Sequence, residues 1–361
     1  MDGYALCQVA ELIAHARPHI PSGLLDGNTL RHLQDALPAL PPACSIGAFE
    51  CRLEAGARQV DLEVCLREGG GGRASLAAGL PEFEDSTRGD PRWARTIEFL
   101  RSWCHPGSPL FDTVPVVWLE LDVDESETDS AVPFVVFTLD PEAPFANGTM
   151  LTERTEGALL TGLNLLAGDE LGHSSASTLR RCLLALPSGT RLLHAALRPT
   201  VDRDLLRIIL RMEWRCLTAY LCHLGWRGSS TEQDAWLTRT CPTTLMSSIN
   251  LDLADGVGPR IGIEYYFPTQ PASDPRWRTV FDALVEVGAC TEERRAQLEA
   301  WPSYGKEHEE TGLLRVEREL LLKVVYEQGQ PLRAKAYLSF APRLNVTALA
   351  GIASHVATEV F

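Results

Sequence analysis

The segment Arg333-Ala334-Lys335-Ala336-Tyr337 places two cations and a phenol at alternate positions. In a strand all three side chains share one face. A guanidinium matches phosphate oxygens with paired hydrogen bonds, an ammonium adds a point charge, and a phenol ring can shield a cation. Other segments carry ionisable residues at the same two-residue spacing. Glu50 and Arg52 precede Asp61, Glu63, Cys65 and Arg67; Trp118, Glu120 and Asp122 come next. Then come His194 and Arg198 with Arg207 and Arg211, Ser248, Asn250 and Asp252 with Glu264 and Tyr266, and finally Lys323. The first two groups are mostly acidic; the third and the last are basic. A basic pole can hold a polyanion such as a diphosphate. An acidic pole can hold a metal, a cationic substrate group or a general base.

These residues sit in segments that alternate like strands, in pairs that follow helical stretches. The expected strands are Ile46 to Leu53 with Val60 to Leu66, Pro115 to Val123 with Pro133 to Leu139, Leu192 to Arg198 with Leu205 to Met212, Leu245 to Leu253 with Arg260 to Phe267, and Leu313 to Tyr326 with Leu332 to Phe340. Expected helices cover Tyr4 to Ala16, Asn28 to Leu37 with Asn28 as N-cap, Asp90 to Cys104, Thr152 to Leu166, Ser174 to Leu184, Trp214 to Leu224, Thr231 to Thr240, Asp274 to Val287 and Thr291 to Trp301. A last helix is expected over 345–360. Gly69 to Arg73 reads as a flexible connection, since it lacks the Lys-Ser/Thr of a phosphate-cradling loop.

The hairpins recur at intervals of roughly 55–75 residues, the mark of an internally repeated architecture. Asp90-Pro91-Arg92-Trp93 and Asp274-Pro275-Arg276-Trp277 open two of the helices with the same four residues. The expected unit is one repeat-built domain over 1–361, with approximate repeats 1–68, 69–140, 150–212, 213–267 and 274–340. A string of hairpins has two exposed edges, and closing ten strands into a barrel removes them. The fold class is therefore α+β: a closed antiparallel ten-stranded barrel of five ααββ repeats with the helices outside. On the last strand Leu332, Ala334, Ala336, Leu338 and Phe340 would face the helices, while Arg333, Lys335, Tyr337 and Ser339 face a lumen. An open sheet with one solvated polar face alternates in the same way, and closure decides between the two.

Composition narrows the function classes. Hydrophobic residues make up 45% and charged residues 22%, as in a globular protein. The net charge of −15 opposes a nucleic-acid role, which needs a basic surface. The ten cysteines show no C-x-x-C pair, pointing to a reducing cytoplasmic setting. No signal peptide or membrane-length apolar run is expected. H-E-x-x-H, G-x-S-x-G and strand-borne G-x-G-x-x-G are absent, and the nine histidines lack metal spacing. His194 reads as a structural histidine and Trp214, Trp226, Trp277 and Trp301 as core; Trp118 fits either a ligand or barrel filling.

The repeated helix–helix–strand–strand order resembles the ABBA-type aromatic prenyltransferases, the PT-barrel family, over nearly the whole chain. Arg333-Ala334-Lys335-Ala336-Tyr337 matches the family's Arg-x-Lys-x-Tyr strand, and Glu50 stands where the family places an early-strand carboxylate. The resemblance implies an enzyme of isoprenoid secondary metabolism. It would move an allylic prenyl group from its diphosphate to an aromatic or nitrogen-containing acceptor, whether small molecule or peptide. Arg207, Arg211, Lys323, Arg333 and Lys335 would bind the diphosphate; Tyr266, Tyr337 and Trp118 would shield the cation. Glu50 and Glu120 would be catalytic, and Asp61, Asp122 and Glu264 would bind the acceptor. No metal or other cofactor is required, although Asp61 or Asp122 could hold Mg²⁺. This chain departs from the family in having Arg207-x-x-x-Arg211, Glu264-x-Tyr266 and Lys323-x-Val325 where members repeat Lys-x-Tyr. Its extra acids suit a cationic acceptor, a guanidine or an amine, better than a phenol. The alternatives are a barrel of different activity that uses no prenyl diphosphate and a non-catalytic interaction protein with an open sheet. On the last strand, Lys335 beside other cations is tolerable only where a polyanion or acids of the opposite wall compensate it.

Overall fold

Alternation gives every hairpin an apolar face that must be covered, and helices cover it in the computed structural model. The structure describes residues 7–36, 40–41, 43–87, 91–121, 133–139, 151–198, 205–228, 230–241, 246–265, 267–302 and 314–344. The strands are β1 (Cys7–Gln8), β2 (Ala43–Cys44), β3 (Ile46–Arg52), β4 (Val60–Arg67), β5 (Val116–Leu121), β6 (Phe134–Thr138), β7 (Arg191–Arg198), β8 (Leu205–Glu213), β9 (Met246–Leu253), β10 (Val257–Tyr265), β11 (Leu314–Glu327) and β12 (Arg333–Leu344). The helices are α1 (Val9–Ala16), α2 (Gly27–Ala36), α3 (Gly72–Thr87), α4 (Pro91–Cys104), α5 (Pro109–Thr113), α6 (Glu153–Ala167), α7 (His173–Leu184), α8 (Trp214–His223), α9 (Ser230–Thr240), α10 (Arg276–Glu286) and α11 (Glu292–Ala300).

Strands β3 to β12 close into one antiparallel barrel, sealed where β12 pairs with β3; β1 and β2 pair separately. Closure excludes the open sheet. The outward residues of the strands join the helices in one apolar core, in which Phe49, Leu62, Leu119, Ile208, Leu251, Ile263, Leu322 and Leu338 are fully buried. Trp93 and Trp277, the tryptophans of the two echoed helix starts, are both buried in the first turns of α4 and α10. Asp274 accepts a hydrogen bond from the Arg276 backbone N–H at 3.1 Å; Asp90 lies outside the described residues. Gly56 and Gly329, in the turns after β3 and β11, have φ of 77° and 74°, a left-handed conformation that favours glycine.

Two local expectations are corrected. Gly69 to Arg73 is not a flexible connection: Gly69–Gly71 is a 3₁₀ turn, and α3 begins at Gly72. Glycines and Pro81 hid this helix from a propensity reading. Gly72 is required there, because a Cβ would lie 2.3 Å from the Arg67 carbonyl oxygen. The cap of α2 is Asp26 and not Asn28; the Asp26 carboxylate accepts from the backbone N–H groups of Asn28 and Thr29 at 3.0 and 2.9 Å. The helix expected over 345–360 lies outside the described residues. Among those described, no helix is long and apolar enough to cross a membrane.

The register of β12 makes a sharp test. Leu338 is fully buried against the helices, so Leu338→Ala should cost about 2–5 kcal/mol in urea unfolding. Its neighbour Ser339 faces the lumen and is partly exposed, so Ser339→Ala should stay within about 0.5 kcal/mol. The reverse result would mean a one-residue register slip.

Candidate active site

Inside the barrel the strand ladders set like charges directly opposite one another. Glu50 pairs with Asp61 across β3 and β4, Glu63 with Glu120 across β4 and β5, and Lys323 with Lys335 across β11 and β12. Such pairs are unfavourable in isolation. Each cation instead finds an acid on another strand. The Lys335 ammonium contacts the Glu50 carboxylate and lies 4.0 Å from Asp61. Arg52 reaches Asp61 at 3.3 Å and Glu50 at 3.6 Å. Lys323 donates to Asn250 at 2.9 Å and to the Tyr337 hydroxyl at 3.1 Å, with Glu264 at 3.6 Å. Arg207 forks onto Asp252 at 2.7 and 3.3 Å, and Arg333 donates to Glu327 at 2.5 Å. The acids that compensate Lys335 therefore stand on the neighbouring β3 and β4, not on the opposite wall.

Glu63 and Glu120 differ. Among the described residues neither has a cation within ion-pair distance. With Glu50 they form a trio whose ligand oxygens lie within 4.8 Å of one another. Oxygen donors of this kind suit a hard divalent cation. Asp61, the other expected Mg²⁺ position, is turned to Arg52 and Lys335; Asp122 lies outside the described residues.

The electrostatics follow from this arrangement. Burial alone would raise Glu50, but the charges of Lys335 and Lys323, with hydrogen bonds from Lys335 and Tyr337, hold it well below the usual carboxylate range. Burial, then the negative Glu50, push Asp61 up to about 7 against the pull of Lys335 and Arg52. Burial, then Glu120 and Glu50, also raise Glu63 well above its ordinary value. The Tyr337 phenol is raised by burial and by the surrounding acids, so it stays neutral.

The cavity at this mouth of the lumen measures about 210 Å³. Among the residues assigned a role from sequence, Glu120, Arg207, Lys323, Arg333 and Lys335 line it. Glu50 lies behind Lys335, and Glu264 accepts from Asn250 at 2.9 Å. Arg211 does not line the cavity; it stands four residues farther along β8, opposite Ser248. Trp118 packs on a separate apolar patch of Phe134, Val136, Ala196 and Ile209, on the β5–β8 side of the lumen. His194 is lowered by burial to about 4 and sits 2.8 Å from the Thr138 hydroxyl, as a structural histidine should. Tyr266 lies outside the described residues.

Sequence reasoning missed four lining residues, Arg260, Gln59, Glu54 and Gly262. Arg260 shares the parity of Glu264, and Gln59 that of Asp61, so alternation carried both signals. At Gly262 a Cβ would lie 2.7 Å from Lys323 Cε, so this glycine leaves the space the ammonium stem occupies. From outside the barrel, the Arg294 guanidinium donates to the carbonyls of Arg52 and Ala57, tying α11 to the β3–β4 hairpin.

No family model and no curated protein matches the sequence. Solved structures match in fold. A 6-dimethylallyl tryptophan synthase superposes with a TM-score of 0.57 at 14% identity, covering 92% of this chain and 96% of that one. The prenyltransferase PriB, in a ternary complex with L-tryptophan and dimethylallyl thiolodiphosphate, gives 0.52 at 15% identity over 92% and 96%. A 5-dimethylallyl tryptophan synthase from Streptomyces coelicolor, in complex with DMASPP and Trp, gives 0.50 at 17% over 91% of each chain. The barrel is the PT-barrel fold of the ABBA-type aromatic prenyltransferases.

The acid cluster should be visible in stability. Asp61 is raised from 3.8 to about 7, so between these values the folded chain holds a proton that the unfolded chain has lost. Its contribution is full below the unfolded value and disappears as pH rises through the folded one. Glu63 is displaced in the same direction. Urea unfolding from pH 5 to 8 should therefore show stability falling as pH rises, and Asp61→Asn should flatten that slope. An unchanged slope in the variant would mean that Asp61 is ionised throughout.

Proposed function

We propose that this barrel transfers an allylic prenyl group from its diphosphate to an aromatic acceptor. The observation that carries the reading is the ring of cations, Lys323, Lys335, Arg333, Arg207 and Arg260, on one cavity inside a closed barrel. Fold alone does not fix function, so the argument rests on what these side chains can do.

Cations aimed at a diphosphate stabilise the charge that grows on it as the allylic C–O bond ionises. Lys323, Lys335 and Arg333 suit that role. The Tyr337 ring, 5.8 Å from the Lys323 ammonium, presents a face to positive charge. The apolar wall of Trp118, Phe134, Val136 and Ile209 offers the prenyl chain a surface away from water. The acceptor's π-electrons form the new C–C or C–N bond, pyrophosphate leaves, and the acceptor's proton passes to a carboxylate, for which Glu50 is the candidate. The solved PriB complex, with L-tryptophan and a thiolodiphosphate, supports an aromatic acceptor.

A nitrogen-containing acceptor bearing positive charge is favoured by Glu63 and Glu120. Among the described residues neither has a cation within ion-pair distance, and they adjoin the apolar wall, where Phe134 stands opposite Glu120 in the β5–β6 ladder. A ligand-binding barrel that uses no prenyl donor would leave the cations engaged only with the chain's own acids.

Titration calorimetry with dimethylallyl thiolodiphosphate separates these readings. Saturable binding is expected, and Lys335→Gln should weaken it by about 1.5–3 kcal/mol per folded molecule. A folded wild-type protein that takes up no thiolodiphosphate at millimolar concentration would overturn the prenyl-donor reading.

A further inference from the structure

The lumen cations are not bare. Lys335, the central residue of the Arg-x-Lys-x-Tyr strand, contacts Glu50, and each of its neighbours has a carboxylate of its own. A diphosphate that takes Lys335 must compete with a charge already in place. The two partners are unequally placed for that competition. The Lys335 side chain is 23% exposed and lines the cavity, whereas Glu50 is 2% exposed and lies behind it. A polyanion entering the cavity therefore meets the ammonium before the carboxylate.

We infer that Glu50 is a resident counter-ion which a diphosphate displaces from Lys335, so that binding of the donor is what releases this carboxylate to act on the acceptor. The inference rests on the prenyl-transfer reading and adds a coupling between its two substrates.

The surroundings of Glu50 give the coupling its direction. Lys335 and Tyr337 face it from β12, Asp61 and Glu63 from β4, Glu120 from β5 and Lys323 from β11, while Arg52 stands on its own strand. Once a diphosphate draws off the Lys335 charge, acids dominate that set. The exchange thus frees the Glu50 oxygens from their ion pair, at the moment the diphosphate is in position to leave. Asp61, 4.0 Å from Lys335 and 3.3 Å from Arg52, is a second and weaker competitor wherever it is ionised.

The test is the affinity of inorganic pyrophosphate for the wild-type protein, Glu50→Gln and Asp61→Asn, with folding checked by circular dichroism. Removal of an internal competitor tightens binding, so Glu50→Gln should gain on the order of tenfold and Asp61→Asn less. A purely structural Glu50, which orients Lys335 for its ligand, predicts weaker binding in Glu50→Gln, and equal or weaker binding overturns the exchange while leaving the donor site standing. A wild-type infrared difference spectrum decides independently of whether the variants fold: pyrophosphate should shift an ion-paired carboxylate stretch, and binding without any carboxylate change overturns the proposal. Absence of pyrophosphate binding in all three proteins overturns both the exchange and the donor reading beneath it.

Discussion

The ladder between β12 and β3 joins the last barrel strand to the first, with Tyr337 opposite Glu50 and Lys335 opposite Arg52. This pairing spans almost the whole chain, so its loop-closure entropy is large. In return it removes both sheet edges. It also fixes the site. The Arg-x-Lys-x-Tyr strand meets the early-strand carboxylate only because these two strands are neighbours, and a one-residue slip would send Lys335 into the apolar core and Ala336 into the lumen.

The outer core makes that slip costly. Phe340 lies 4.9 Å from Phe49 across the closing ladder and packs edge-on against Trp301 at 6.5 Å. Gly47 leaves room for the Phe340 ring, which a Cβ there would meet at 2.5 Å. The Trp301 indole N–H donates to the Glu319 carbonyl at 3.0 Å, and the Arg318 guanidinium donates to the Trp301 carbonyl at 3.0 Å. These contacts lie outside the barrel, yet they set the register that decides what is inside.

Much of this was legible because strand parity is a local property. Alternation alone put Glu50, Asp61, Trp118, Glu120, Arg207, Asp252, Glu264, Lys323 and Lys335 on the lumen face, and all are found there. Partner choice was not legible. That Lys335 meets Glu50 depends on ring closure, and that Arg207 meets Asp252 depends on the order of strands; neither can be read from spacing within one segment. Helix α3 was missed because its glycines and Pro81 argue locally against a helix that tertiary packing supports. Arg211 shares the parity of Arg207, but parity says nothing of depth along the barrel axis, and four residues of strand move a side chain by about 13 Å.

The like-charge ladders also explain why this charge pattern and this closure require each other. In an open sheet Lys323 opposite Lys335, or Glu50 opposite Asp61, would repel with solvent as the only relief. In the closed barrel each such residue has neighbours on both sides and lies near residues of further strands. Lys335 turns to Glu50 on β3, Lys323 to Asn250 on β9 and Glu264 on β10, and Arg207 to Asp252 on β9. Charges paired in this way satisfy one another where water is scarce, although the pairing itself yields little net stability. The exceptions are Glu63 and Glu120, which face each other beside the apolar wall without a cation. Burying two carboxylates side by side is costly unless one holds a proton, and the raised Glu63 is how the fold meets that cost. A sequence selected for stability alone would place an aliphatic pair there, as the outward face of the same two strands does with Leu62 and Leu121.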